Sequence, residues 1–187
     1  MKLFHGSRTG GIVTLEPRLA DHDRPYIYMS TIETVAAFYL CNAVERPYYW
    51  FPYGFDREGV PVYHELYPRA LREVSEGVRG FIYEVEAEEG DVLPFKNIPC
   101  ARLGTVPMKV SSVIEVPDAW RLMERYMAEG KLRLGRYEDK SAAELERWYA
   151  MLGDYIAGKN MKETPDCSYA RFVREKFPWV WEKYIKG

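Results

Sequence analysis

The sequence predicts an α+β fold, and three observations carry that prediction. Runs that alternate apolar and polar residues with the period of a strand stand in the first part of the chain, "GFIYEVE" at 80–86 and "MKVSSVIEV" at 108–116 among them. Helix-period runs opened by capping signals lie between and after them. Beyond residue 137 only helix-period runs remain. A domain over residues 1–137 is therefore expected, with an all-helical extension over 138–187 packed on it.

The elements follow in order. Residues 1–5, "MKLFH", open the chain as a short strand, stopped by Gly6 and the Gly10–Gly11 pair. "GIVTL" reads as a second short extended piece before Pro17. Tyr26 to Met29 form a β-prone run after Pro25. Ser30-Thr31-Ile32-Glu33 then fits a capping box, in which each side chain satisfies a free N–H of the first helical turn. The helix so opened carries Val35, Ala36, Phe38, Tyr39 and Leu40 and is expected to end near Arg46–Pro47. "RPYYWFPYGFDREGVP", residues 46–61, holds three prolines and six aromatics. It reads as a long loop of the lid or binding type, with no central strand.

A second helix is expected from His64 to Glu76, stopped by Gly77. The two alternating strands already quoted come next, followed by a helix from Asp118 to Gly130 carrying Trp120, Leu122, Met123, Tyr126 and Met127. "KLRLGRY" at 131–137 reads as one more strand. Ser141-Ala142-Ala143-Glu144 is a second capping box, opening a helix to about Gly158. Two short helices divided by Pro178 close the chain.

Composition narrows the function. Of 187 residues, 47% are hydrophobic and 29% charged, which suits one globular domain with a sizeable core. The formal net charge of −2 disfavours a nucleic-acid binder, which needs cationic excess against phosphates. Aromatics make up 15%, led by fifteen tyrosines, so flat stacking faces are plentiful. Cys41, Cys100 and Cys167 are odd in number and widely spaced, with no CxxC pair, so neither a disulfide framework nor a metal site is expected. Cys41 reads as a small core residue, and His22 and His64 as solvated surface. No signal peptide and no membrane-spanning run is legible, and the cytoplasm is the expected address.

The ordered set "LFHGS", a glycine-bearing turn, "YIYMST", a capped helix with "VAAFY" and a later "GFIYEVE" resembles the ADP-ribosyltransferase fold. The likeness is closest to its diphtheria-toxin and poly(ADP-ribose) polymerase branch, over residues 2 to about 116. The resemblance implies a split mixed or antiparallel β-sheet core with flanking helices, and an NAD pocket between two small sheets. NAD would be the substrate. It further implies that His5 bonds a ribose hydroxyl and that the Gly6 backbone holds the nicotinamide amide with Ser7 beside it. Tyr28 would stack on the nicotinamide ring, and Ser30 or Thr31 would line the wall. The residue types suit those roles. Imidazole offers one donor and one acceptor, glycine admits a planar amide, and tyrosine gives a face to a pyridinium.

The chain departs from that family at one place. Its enzymes set a glutamate just before a late strand, to stabilise the oxocarbenium-like transition state as the glycosidic bond breaks. Here "KNIPCARLGT" holds no acid between Cys100 and Leu103. Glu115 is the nearest carboxylate along the following strand, with Glu84 and Glu86 on the previous one. Three functions stay open. The first is transfer of ADP-ribose from NAD to a macromolecular acceptor or to water, with His5, Tyr28 and Glu115 as the catalytic set. The second is a non-catalytic relative that binds NAD, another nucleotide or a partner protein. The third is an RNA 2′-phosphotransferase, for which Arg8, Arg18 and Arg24 would have to supply the phosphate contacts.

Overall fold

The computed structural model describes residues 1–19, 24–41, 53–95 and 98–185. In chain order they form β1 (Lys2–Ser7), β2 (Thr14–Leu15), β3 (Ile27–Ser30), α1 (Glu33–Cys41), β4 (Tyr53–Phe55), β5 (Pro61–His64), α2 (Ala70–Ser75), β6 (Gly80–Glu86), β7 (Val92–Phe95), β8 (Ile98–Gly104), β9 (Met108–Val116), α3 (Ala119–Ala128), β10 (Arg133–Gly135), α4 (Ala142–Gly158), α5 (Ser168–Lys176) and α6 (Pro178–Ile185). The α+β class expected from the periodicities is the one observed. The chain divides into two compact units, Met1–Cys41 with Val74–Leu132, and Asn42–Glu73 with Arg133–Gly187. That division differs from a boundary at residue 137. Residues 42–73 go with the C-terminal part because β10 pairs in parallel with β5, which no local pattern announces.

The first unit is built on a sheet of order β2-β9-β6-β1-β3-β8-β7, antiparallel at every pairing. It cannot be flat. Three residues connect β8 to β9, so Gly104 and Met108 lie at most about 14 Å apart along the chain. Four strand spacings of a flat sheet would separate them by about 19 Å. The sheet therefore curls, and the inner face carries a cluster of Leu3, Leu15, Ile27, Met29, Tyr83, Val85, Ala87, Val92 and Met108. "VLPFKNIPCARLG" contributes β7 and β8, two strands that Pro94 and Pro99 conceal in the sequence.

On the outer face α1 lies against β1. Its apolar residues Val35, Ala36, Ala37, Phe38 and Leu40 are all buried. The helix starts later than a capping box at Ser30 requires. Ser30 is still in β3, and its hydroxyl accepts from the Ile32 N–H (3.0 Å), while the Ile32 carbonyl takes the first helical bonds from Val35 and Ala36. Glu33, free of a capping task, accepts a short bond from the Tyr126 hydroxyl of α3, and Thr34 Oγ1 donates to the Lys131 carbonyl (3.2 Å). The expected helix end near 46–47 lies outside the described residues.

Asp118 caps α3, with Oδ1 accepting from Trp120 N (2.8 Å) and Arg121 N (3.2 Å), and its Oδ2 also accepts from Gly77 N (3.2 Å). Asp118→Ala is expected to cost about 1–2 kcal/mol, read from denaturant midpoints. Asp118→Asn should recover most of the loss, because the amide oxygen still accepts.

In the second unit β4, β5 and β10 form a three-stranded sheet. Residues 46–52 of the aromatic stretch lie outside the described residues. The rest is a hairpin, which corrects the reading of 46–61 as a loop throughout. Asp56 Oδ1 accepts from Glu58 N (2.8 Å) and Val60 N (2.9 Å), Gly59 takes the positive φ of the turn, and Pro61 stands at the first position of its strand. The helix expected over 64–76 is shortened accordingly to α2, because His64 ends β5. Ser141 Oγ accepts from Glu144 N (3.2 Å), as the second capping box predicts, and Pro178 stands at the first position of α6. Among the described residues no helix is long and apolar enough to cross a membrane.

Candidate functional site

The site begins where two neighbouring strands part. β1 pairs with β6 at six positions and β3 with β8 at four, but β1 and β3 register at one pair only, Phe4 with Ser30. Past that pair the His5 imidazole reaches across, with Nδ1 2.8 Å from the Tyr28 carbonyl. A side chain of β1 thus bonds a backbone carbonyl of β3 beyond the one registered pair.

That bond fixes the ring chemistry. A carbonyl only accepts, so Nδ1 carries the proton and, in the neutral ring, Nε2 is left as an acceptor. Burial holds the His5 pKa below its ordinary value, against the opposing effect of the Tyr28 carbonyl, and the Arg18 guanidinium lowers it further. At neutral pH His5 therefore presents an uncharged ring with a cation nearby. Such a pair suits a ligand that brings a hydroxyl donor and negative charge.

The other expected site residues divide around this point. Alternation along β3 sends Ile27 and Met29 into the inner cluster with Leu3, so the Tyr28 side chain points to the opposite face, where its ring stands edge-on to Phe95 at 6.3 Å. His5 and Tyr28 therefore meet through the Tyr28 carbonyl, and their side chains are not brought together. Gly6 lacks a side chain because α1 is there: a Cβ would overlap the Ala36 carbonyl oxygen, with its carbon 3.2 Å away. Ser7 Oγ accepts from Thr9 N (3.1 Å). Ser30 is buried, and Thr31 is exposed with its N–H on the Cys100 carbonyl (2.8 Å).

Glu115 stands opposite Phe81 on β9, two strands from β1, and is exposed. Two strand spacings put its backbone about 10 Å from β1. Where the family acid would be expected, β8 carries Arg102 opposite Met29, and its Nη1 donates to the Pro99 and Ala101 carbonyls (2.7 and 2.8 Å). Glu84 is ion-paired with Lys2 at 2.9 Å. Among the described residues no group of histidine, cysteine and acidic side chains is arranged to hold a metal ion. Cys41 is buried as expected, with its thiol pushed up to about 12 by burial.

A second polar cluster escaped the sequence reading. His22 lies outside the described residues, but His64 is half-buried rather than solvated, because its register partner on β10 is Gly135. A Cβ at Gly135 would meet His64 Nδ1 at 2.9 Å and Lys140 Nζ at 3.1 Å. Lys140 is almost wholly buried and donates to the Gly135 and Arg136 carbonyls (2.7 and 3.2 Å), with Glu144 at 3.9 Å. The Trp148 ring covers His64 at 5.2 Å. Burial, and then the Lys140 ammonium, hold His64 below its ordinary pKa, while Glu144 acts the other way. Only the pairing of segments seventy residues apart assembles this group.

Compared with known proteins, the chain matches no family model, no curated protein sequence and no solved structure.

Proposed function

We propose that this protein is an ADP-ribosyltransferase-like NAD-binding module, which holds NAD where β1 and β3 part and acts by binding rather than by transfer. One observation carries the reading: His5, fixed on the Tyr28 carbonyl as a neutral ring with Nε2 free to accept, where β1 and β3 register at a single pair. A ribose hydroxyl would donate to Nε2, and Arg18 would favour the anionic part of the ligand. The resemblance of "LFHGS" and "YIYMST" to that family supplies the identity of the ligand.

The binding reading is preferred over transfer because of the carboxylates. Cleavage of the nicotinamide bond needs a negative charge held against the developing cation. The carboxylates weighed for that role are either exposed, as Glu86 and Glu115 are, or paired with Lys2, as Glu84 is. NAD is therefore expected to bind without release of free nicotinamide. His5→Ala should weaken binding by about 1–3 kcal/mol with little change in fold. Nicotinamide appearing in proportion to protein, and disappearing in Glu115→Gln, would overturn the binding reading in favour of the transferase.

A further inference from the structure

We infer that the Tyr83 hydroxyl is the clasp that positions the segment bordering His5, and so sets access to the free Nε2; the inference rests on the reading of His5 as the ligand contact. Tyr83 lies on β6 directly opposite His5 and is fully buried. A phenylalanine would fill the same space, so packing alone does not account for the hydroxyl. Its oxygen donates to the Thr9 carbonyl (2.7 Å) and accepts from Ile12 N (3.4 Å). One buried oxygen thus holds both ends of the turn Thr9–Ile12.

The path of the chain explains why this turn matters for His5. It leaves β1 at Ser7, two residues after His5, and Gly10 passes over the Phe81 ring so closely that a Cβ would lie 2.8 Å from it. Val13 then ties down through its carbonyl to Val110 N (3.0 Å). By Arg18, pinned to Tyr26 by two backbone bonds of 3.1 Å, the chain has returned to where its cation acts on the His5 ring. The stretch 8–18 therefore leaves the strand two residues beyond His5 and ends at the arginine whose charge acts on the ring, and the Tyr83 hydroxyl fastens its Thr9–Ile12 turn. Tyr83 is a positioning residue, acting on the ligand through the strap.

Tyr83→Phe and Gly10→Ala test this by different routes. The first removes the clasp, and the second lifts the exposed strap off Phe81 and leaves the buried ring untouched. Two readouts need no ligand: hydrogen exchange at the Ile12 amide, and the rate at which diethyl pyrocarbonate modifies His5, with His64 as the reference in the same sample. Both variants are expected to speed Ile12 exchange about tenfold and His5 modification severalfold, with His64 unchanged. Unchanged rates at Ile12 and His5 in folded Tyr83→Phe, or in folded Gly10→Ala should Tyr83→Phe not fold, would overturn the inference. With NAD as the probe, both variants should bind about three- to thirtyfold more weakly than the parent. Parental affinity with altered rates would overturn the link from strap to ligand. A parent that binds no NAD, with altered rates in the variants, would sink the NAD reading and leave the clasp standing.

Discussion

Gly6→Ala is expected to destabilise the protein by about 3 kcal/mol, the largest effect of any single methyl group near the site. The added carbon meets the main chain of α1 at Ala36, and main chain inside a helix cannot swing aside as a side chain can. Either α1 lifts from the sheet, exposing part of Val35, Phe38 and Leu40, or β1 bends and loosens its pairing with β6. Gly90→Ala is the control. That glycine has nothing within 4 Å of its would-be Cβ, and its substitution should be close to neutral. Urea midpoints of the two variants measure the contrast. A stable Gly6→Ala protein would mean that α1 does not rest on β1, and the outer face of the site would be open.

Lys140→Met is expected to cost about 1–2 kcal/mol at neutral pH, because the Arg136 carbonyl loses a strong donor and two nearby carboxylates, Glu144 and Glu65, lose their cation. The same substitution should change the response to acid. His5 and His64 both have folded-state pKa values below the ordinary 6.5. The unfolded chain therefore takes up protons first, and stability is full above about pH 6.5 and falls as the pH drops below it. Removing the Lys140 ammonium lifts one cause that holds His64 down, so the decline between about pH 7 and 5.5 should be shallower in Lys140→Met. Denaturation midpoints at the two pH values measure it. A decline as steep as the parent's would show that burial alone keeps His64 neutral.

What the sequence discloses and what it hides divides along physical lines. β9 was legible because one face of it meets the core and the other does not, β6 because its apolar residues alternate even though Ile82 is buried on its second face, and α4 because Ser141 accepts from the Glu144 N–H within one turn. β7 and β8 were hidden by Pro94 and Pro99: the edge strand β7 tolerates its proline, and Pro99 precedes the part of β8, from Ala101 on, that registers with β3. Ser30 and Glu33 have the spacing of a capping box, but Glu33 is taken by Tyr126, a partner 93 residues away. At the site, His5 was legible as a histidine next to glycine on a strand, although the strand runs on to Ser7 instead of stopping at Gly6. That its partner is the Tyr28 carbonyl and not the Tyr28 ring follows from how β1 and β3 part, which depends on both their other neighbours. Tyr83 gave no signal and Arg18 was read only as a possible phosphate contact, since a tyrosine in a strand and an arginine before a turn are ordinary on their own.

The central claim is that His5 Nε2 accepts a hydrogen bond from NAD while Nδ1 stays on the Tyr28 carbonyl. The direct measurement is a titration of NAD, up to millimolar concentration, followed through the two ring nitrogens of His5 by nitrogen NMR. The account predicts a saturable shift at Nε2, a small change at Nδ1 and the neutral Nδ1–H form throughout. Ring-nitrogen signals that do not move at millimolar NAD, or a free-state ring with its proton on Nε2, would contradict it.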